Sequence, residues 1–211
     1  GDQADLVSID RQGRLATVYG RGGSVDSFDV KDGKLIFAGL QGQGLTELFD
    51  GEGRQLTHFN DEYLSGHAVS VPLYHTFTAS DGFEVHGWAM KPYGWKPGRK
   101  YPAILHIHGG PRTVLGDVFH HEMQVWAGAG YFVFYCNPRG SDGRGNAFAD
   151  IVAKQGSIDY EQLMAFTDEV LMQYPALDGV RLGVFVISYG GFMTNWIIGH
   201  TDRFKAAVPQ C

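Results

Sequence analysis

Val184-Phe185-Val186-Ile187-Ser188-Tyr189-Gly190-Gly191-Phe192-Met193-Thr194-Asn195-Trp196-Ile197-Ile198 reads as an apolar, β-branched strand that passes through one serine into a helix. A serine at such a junction stands at the tip of a sharp turn, its hydroxyl exposed beside a helix N-terminus. That is the geometry of a nucleophile elbow, and it points to acyl transfer through a serine ester. The N–H of Tyr189 is then placed to donate to an oxyanion. The plainer reading makes Ser188 an ordinary helix N-cap.

Upstream of the elbow, strand and helix patterns alternate. His75 to Ala79 and Phe83 to Lys91 read as a hairpin around Ser80-Asp81-Gly82. Tyr101 to Ile107 is a buried strand running into His108-Gly109-Gly110-Pro111, and a helix follows around Glu122 to Ala127. Tyr131 to Cys136 is a second buried strand, ending in Asn137-Pro138-Arg139-Gly140. In the long helical stretch after it, Asp159 and Gln162 suit a capping box, Leu163, Phe166, Val170 and Tyr174 share one face, and Pro175 marks the end. Arg181 to Ile187 and Phe204 to Val208 are further strands. This order predicts a mostly parallel sheet with helices on both faces, with ligands at the carboxyl ends of its strands. The loops at 108–111 and 137–140 and Ser188 all fall on that edge. Gly109 and Gly110 let the backbone approach a substrate closely, so this loop is the natural source of the second oxyanion donor.

Residues 1 to 66 read differently, and the expected division is 1–66 and 67–211. Short alternating runs recur at 14–19, 25–30, 34–40, 46–49 and 55–59, separated by turn signals that include Asp32-Gly33 and Asp50-Gly51. Short hairpins cannot bury a core alone. Without a visible internal repeat, the last part of a propeller and a small independent β-domain both stay open.

With a formal charge of −6 and no basic stripe, the chain lacks a nucleic-acid footprint. No apolar run approaches the ~18 residues that span a bilayer. No signal peptide opens the chain, and Cys136 and Cys211 make no disulfide framework, so a cytoplasmic setting is expected. His106, His108, His120 and His121 lack a supporting acidic or cysteine cluster, and no metal or other cofactor is expected. Gly140 to Gly145 is glycine-rich but carries no P-loop lysine, which argues against nucleotide binding.

His108-Gly109-Gly110-Pro111, Asn137-Pro138-Arg139-Gly140-Ser141, Arg181-Leu182-Gly183-Val184, Ser188-Tyr189-Gly190-Gly191-Phe192-Met193 and the stretch Thr201 to Val208 together resemble the prolyl oligopeptidase family of serine peptidases, most of all its acylaminoacyl peptidase branch. The resemblance spans 75–211. It implies an α/β-hydrolase domain, here truncated, preceded by β-strands resembling the end of a β-propeller that filters substrates by size. It implies Ser188 as nucleophile and an oxyanion hole from the Gly109-Gly110 loop and Tyr189, the N–H groups being those of Gly110 and Tyr189. The substrates implied are short peptides or acylated N-terminal residues. The family's acid and histidine follow the serine. Only His200 does so here, twelve positions on, so a catalytic Asp and His are expected beyond Cys211. Val186 stands where the family's elbow has glycine, and a branched side chain there is expected to clash or to open the turn. The first residue is Gly1, not methionine, so the N-terminus is open to being a cut end. An apolar last strand would leave a bare sheet edge. The chain is therefore expected to be a fragment, or to be covered by a second chain or a homo-oligomer. A small-ester esterase and a non-catalytic module on a decayed hydrolase scaffold are the alternatives.

Overall fold

The computed structural model describes residues 2–210, which form two compact units. Gly1 and Cys211, and with Cys211 the question of its pairing, lie outside the described residues. One unit holds the residues up to Val69 together with Gly116–His121; the other holds Ser70–Leu115 and the residues from Glu122 onward.

The first unit is built from antiparallel strands. β1 (Leu6–Ile9) and β2 (Leu15–Tyr19) form a hairpin, and β3 (Ser24–Lys31), β4 (Lys34–Leu40) and β5 (Glu47–Asp50) form a three-stranded sheet. Asp32 and Gly33 both adopt positive φ, 49° and 73°, as a two-residue type I′ turn requires. Leu6, Tyr19, Phe37 and Phe49 are buried together. The ring centroids of Tyr19 and Phe37 lie 4.5 Å apart and those of Phe37 and Phe49 5.3 Å apart.

Two departures from the sequence reading stand out. Asp50-Gly51 does not make a two-residue hairpin. Asp50 Oδ1 accepts from the amides of Glu52 and Arg54, its Oδ2 accepts from Arg54 Nε, and Gly53 closes the turn at φ 80°. Asp10 repeats every one of these bonds with Gln12 and Arg14, and Gly13 takes the same φ of 80°. The same turn therefore starts at Asp10 and at Asp50, 40 residues apart. Second, 55–59 is not a strand; only Gln55 bridges Phe49. The Thr57 hydroxyl takes over there, accepting from the Leu48 amide and donating to Glu47, whose other oxygen holds the Asn60 amide. The chain then turns into the short helix α1 (Asp61–Ser65).

The second unit is a six-stranded sheet of β6 (Leu73–Thr78), β7 (Glu84–Met90), β8 (Tyr101–Ile107), β9 (Phe132–Asn137), β10 (Leu177–Ile187) and β11 (Phe204–Gln210), in the order β11-β10-β8-β9-β7-β6. The first four in that order are parallel; β7 and β6 pair antiparallel. Four helices complete it: α2 (His121–Gly128), α3 (Asn146–Ala149), α4 (Ile158–Gln173) and α5 (Tyr189–His200). Alternation along the strands sorts the two faces. Tyr101, Ala103, Leu105 and Ile107 of β8 and Phe132, Phe134 and Cys136 of β9 pack with Leu163, Phe166 and Val170 of α4 and Met193 and Ile197 of α5. On the opposite face, Trp88, Val133 and Tyr135 pack with Met123 and Ala127 of α2. This is the mostly parallel, two-faced α/β sheet that the strand–helix alternation predicts. β10 begins at Leu177, four residues ahead of the expected Arg181, with its register shifting between Leu177 and Leu182.

The capping box is not formed. Ser157 is the N-cap of α4 and makes no side-chain cap bond. Asp159 and Gln162 are buried and turn toward the loops at the sheet's carboxyl edge. Asp159 Oδ1 accepts from the Gly156 amide at 2.8 Å, and Gln162 accepts from the Arg139 amide at 2.7 Å. Among the described residues no helix is long and apolar enough to cross a membrane.

Candidate active site

Ser188 lies at the end of β10 and immediately precedes α5. Its backbone is at φ 62°, ψ −120°, a conformation that costs a non-glycine residue about 1–3 kcal/mol and persists only where neighbours over-determine it. Several neighbours do so. The Ser188 amide donates to the Gln210 carbonyl of β11 at 2.7 Å, and the Ser188 carbonyl accepts from the Gly191 amide at 2.7 Å. Val186, two residues before, is 0% exposed and paired with Ile107 and Pro209 on its two sides. Gly190 absorbs its bulk, because a Cβ at 190 would lie 2.6 Å from Val186 Cβ. The valine therefore neither clashes with the turn nor opens it. The ordinary-cap reading of Ser188 also fails, since its side chain makes no cap hydrogen bond. The residue is exposed, with its hydroxyl uncommitted among the described residues.

The glycine loop after β8 comes beside this hydroxyl. A Cβ placed on Gly109 would lie 3.2 Å from Ser188 Cβ and 3.7 Å from its Oγ. Gly110 sits at φ 119°, where only glycine is at ease. Among the described residues the amides of Gly109, Gly110 and Tyr189 donate to no protein acceptor. For Tyr189 this follows from its place as the first residue of α5, where helix amides have no intrahelical partner. Unsatisfied amides beside an exposed hydroxyl are the elements of an oxyanion site.

The loop is held from beneath. His108, 7% exposed, bonds the Gly109 carbonyl through Nδ1 at 2.8 Å and Ser141 Oγ through Nε2 at 2.9 Å. A carbonyl only accepts, so Nδ1 carries the proton and Nε2 accepts from the Ser141 hydroxyl. Farther along, the Asn137 side chain accepts from the Leu115 amide at 2.9 Å and donates to its carbonyl at 2.7 Å. Arg139 closes the other side: it pairs with Asp81 at 2.8 Å, donates to the Ala147 and Phe148 carbonyls, and lies over the Phe83 ring. Tyr189 is fixed as well, its hydroxyl donating to Asp159 Oδ2 at 2.6 Å. Sequence reasoning missed the parts played by Ser141, Asp159 and Gln162. Their signal lay in the quoted Asn137-to-Ser141 stretch and in the polar pair at 159 and 162, which was spent on a cap.

Burial sets the protonation of this layer. It pushes His108 below its ordinary 6.5, against the opposing Gly109 carbonyl, and keeps the ring neutral. It pushes the Asp159 carboxyl up, against the donors from Tyr189, Tyr160 and Gly156. A histidine bound neutral in the folded state binds protons more weakly than in the unfolded chain. Its contribution to stability is complete above pH 6.5 and is lost as the pH falls below it. Urea unfolding between pH 7 and pH 5 is expected to show a loss approaching about 1.4 kcal/mol per pH unit from this group, absent in His108→Gln. His75 and His120 shift in the same direction through burial, and Asp159 in the opposite one, so the difference between variant and parent isolates His108.

His200 ends α5, exposed; its Nδ1 donates to the Trp196 carbonyl at 2.7 Å and its ring stacks on Trp196. No histidine among the described residues bonds the Ser188 hydroxyl. His106 stacks on Phe185 in β10, His108 is committed as above, and His120 and His121 belong to the first unit. Among the described residues no group of three or more His, Cys, Asp or Glu side chains comes together in a way that could hold a metal ion.

The model of the prolyl oligopeptidase family matches residues 117–211. The uncharacterized peptidase YuxL of Bacillus subtilis (strain 168) is 47% identical over 160 residues, covering 75% of this chain and 24% of YuxL. Dipeptidyl-peptidase 5 of Schizosaccharomyces pombe is 33% identical over 137 residues, covering 63% of this chain and 20% of that protein. Among solved structures, an acylaminoacyl peptidase in complex with Z-Gly-Gly-Phe-chloromethyl ketone matches with a TM-score of 0.92 at 34% identity, over 98% of this chain and 33% of that one. The Pyrococcus horikoshii acylaminoacyl peptidase matches with a TM-score of 0.91 at 33% identity, over the same shares. The chain thus spans about a quarter of YuxL and a third of these structures. By these matches residues 117–211 are similar to the prolyl oligopeptidase family, and the fold matches that of the acylaminoacyl peptidases over nearly the whole chain.

Proposed function

We propose that the protein is a serine peptidase that hydrolyses short peptides or removes acylated N-terminal residues through an acyl-enzyme on Ser188. The observation that carries this reading is the strained, exposed Ser188 beside uncommitted amides at Gly110 and Tyr189. In the first step the Ser188 oxygen attacks the scissile carbonyl carbon, a base takes the hydroxyl proton, and the carbonyl oxygen gathers negative charge. The Gly110 and Tyr189 amides then stabilise that charge, and collapse of the intermediate expels the amine as it gains the proton. No metal or organic cofactor enters the scheme. The fold and the peptidase names of the relatives favour peptides over simple esters as substrates.

The test is labelling of the full-length protein with a fluorophosphonate probe. The modification is expected on Ser188 and absent in Ser188→Ala. A protein that folds but takes no label would leave only the binding-scaffold alternative. Rates on acyl-amino-acid anilides against nitrophenyl esters separate a peptidase from an esterase, which the probe does not, because both reactions pass through the same kind of intermediate.

A further inference from the structure

Two side-chain relays lead to the residues that carry the uncommitted amides, one ending on the Gly109–Gly110 peptide and the other on the Tyr189 side chain. The first runs from Ser141, 0% exposed, through His108 to the Gly109 carbonyl. That carbonyl and the Gly110 N–H belong to one rigid, planar peptide and point in opposite directions. Holding the oxygen against His108 therefore turns the N–H away from that ring. The second relay runs from the amides of Gly156 and Tyr160, at 2.8 and 3.0 Å, through Asp159 to the Tyr189 hydroxyl. Anchoring the far end of the Tyr189 ring fixes its Cα, and with it the amide that opens α5. Both relays meet: His108, Ser141, Asp159 and Tyr189 line one small cavity beneath the elbow.

We propose that Ser141 and Asp159 are positioning residues for the oxyanion donors, Ser141 acting through His108 on the Gly110 amide and Asp159 acting through the Tyr189 hydroxyl on the Tyr189 amide. The proposal rests on the reading of Ser188 as nucleophile. A general stabilising network would need no such aim. These bonds, however, end on the Gly109 carbonyl and on the side chain of Tyr189, the residues on either side of the hydroxyl, and the anchors come from two different elements, the loop after β9 and the start of α4. Burial first, and the neighbouring Asp159 second, hold the Tyr189 hydroxyl above its ordinary 10.0, so it remains a donor across the working range. Misplacing a catalytic group by about 1 Å costs on the order of 10²-fold in rate, so loosening one relay should show in turnover before it shows in substrate binding.

The experiment uses the full-length protein with Tyr189→Phe and Ser141→Ala, and with Thr167→Val as control. Thr167 is equally buried, and its hydroxyl donates to the Leu163 carbonyl within α4, away from the elbow. Active sites are counted with the fluorophosphonate, and kcat and KM are then measured per labelled site well below the melting temperature. Both relay variants are expected to lose about ten-fold or more in kcat with KM within about two-fold, and to bind a peptide boronate more weakly by the same factor as kcat/KM. The control is expected to keep its kcat per site despite lower stability. If Tyr189→Phe does not fold, Asp159→Ala, which removes every partner of the Tyr189 hydroxyl at that position, carries the same expectation. The proposal is overturned if the relay variants keep kcat per site within about two-fold of the parent, or lose no more than the control. A parent that takes no label at Ser188 would instead remove the nucleophile reading, and this inference with it.

Discussion

Alanine at position 109 is expected to slow acylation of Ser188 by about 10²–10³-fold while leaving the protein folded. The new methyl group would lie 3.2 Å from Ser188 Cβ, 3.7 Å from Ser188 Oγ and 3.1 Å from the Ile187 carbonyl. These contacts are tight but none lies under 3.0 Å, and Gly109 is not at positive φ. The stability cost should therefore stay near about 1 kcal/mol. The catalytic cost is larger because the methyl occupies the space beside the hydroxyl. An acyl carbon must come there to about 3 Å from Oγ, with its oxygen turned to the Gly110 and Tyr189 amides. Gly110 makes the contrast. A Cβ there would meet the Arg112 amide nitrogen at 2.6 Å, on a backbone at φ 119°, so Gly110→Ala should damage the loop itself. The pair separates space at the hydroxyl from the shape of the loop. The second-order rate of fluorophosphonate labelling and the melting temperature, measured on both variants, check it. A Gly109→Ala protein that labels within about three-fold of the parent rate would place the reacting group elsewhere.

Much of this was legible in the sequence because local chemistry and global fold agree where the chain is most apolar. The runs Tyr101 to Ile107 and Tyr131 to Cys136 are largely apolar and, where they form β8 and β9, largely buried, so they could be little else than central strands. Ser188 and the Gly109-Gly110 loop were legible for a different reason: each needs a backbone that few residues adopt, and such needs are written in residue identity. What escaped notice depends on partners far apart in the chain. Asp159 and Gln162 look like a helix cap because their spacing is local, yet they also bond 189, 139 and 81, and burial makes those distant bonds the stronger claim. Thr57 ends a strand pattern for the same reason: its hydroxyl serves Leu48 and Glu47 in place of the ladder. The Asp10 and Asp50 turns were readable and were missed, because the two aspartate–arginine spacings agree only when the segments are laid 40 residues apart.

The elbow itself yields the largest expected effect on stability, at Gly190. β10 and α5 cross there so closely that a Cβ on residue 190 would sit 2.6 Å from Val186 Cβ, 2.7 Å from Val186 Cγ1 and 2.9 Å from the Ile107 carbonyl. Val186 cannot move aside, since its strand is paired on both edges and the side chain is fully buried. Gly190→Ala should therefore destabilise the protein by about 3 kcal/mol, the upper range for overpacking against an unyielding wall. Removing the opposing side chain tests the cause. Val186→Gly alone should cost about 2–3 kcal/mol, from lost burial and a glycine within a strand. The two changes together should cost less than their sum by at least about 1 kcal/mol, because the double variant no longer brings two Cβ atoms together. The Ile107 carbonyl stays in place, so the recovery should be partial. Denaturant unfolding of the four proteins measures the coupling, and strict additivity would mean that the crossing is not set by this pair. The coupling matters for chemistry because the same crossing holds Ser188 at φ 62°. A strand that carries valine two residues before the serine can keep that turn only while the helix side stays bare. Substitutions at 186 and 190 should therefore move the rate of Ser188 labelling together with stability.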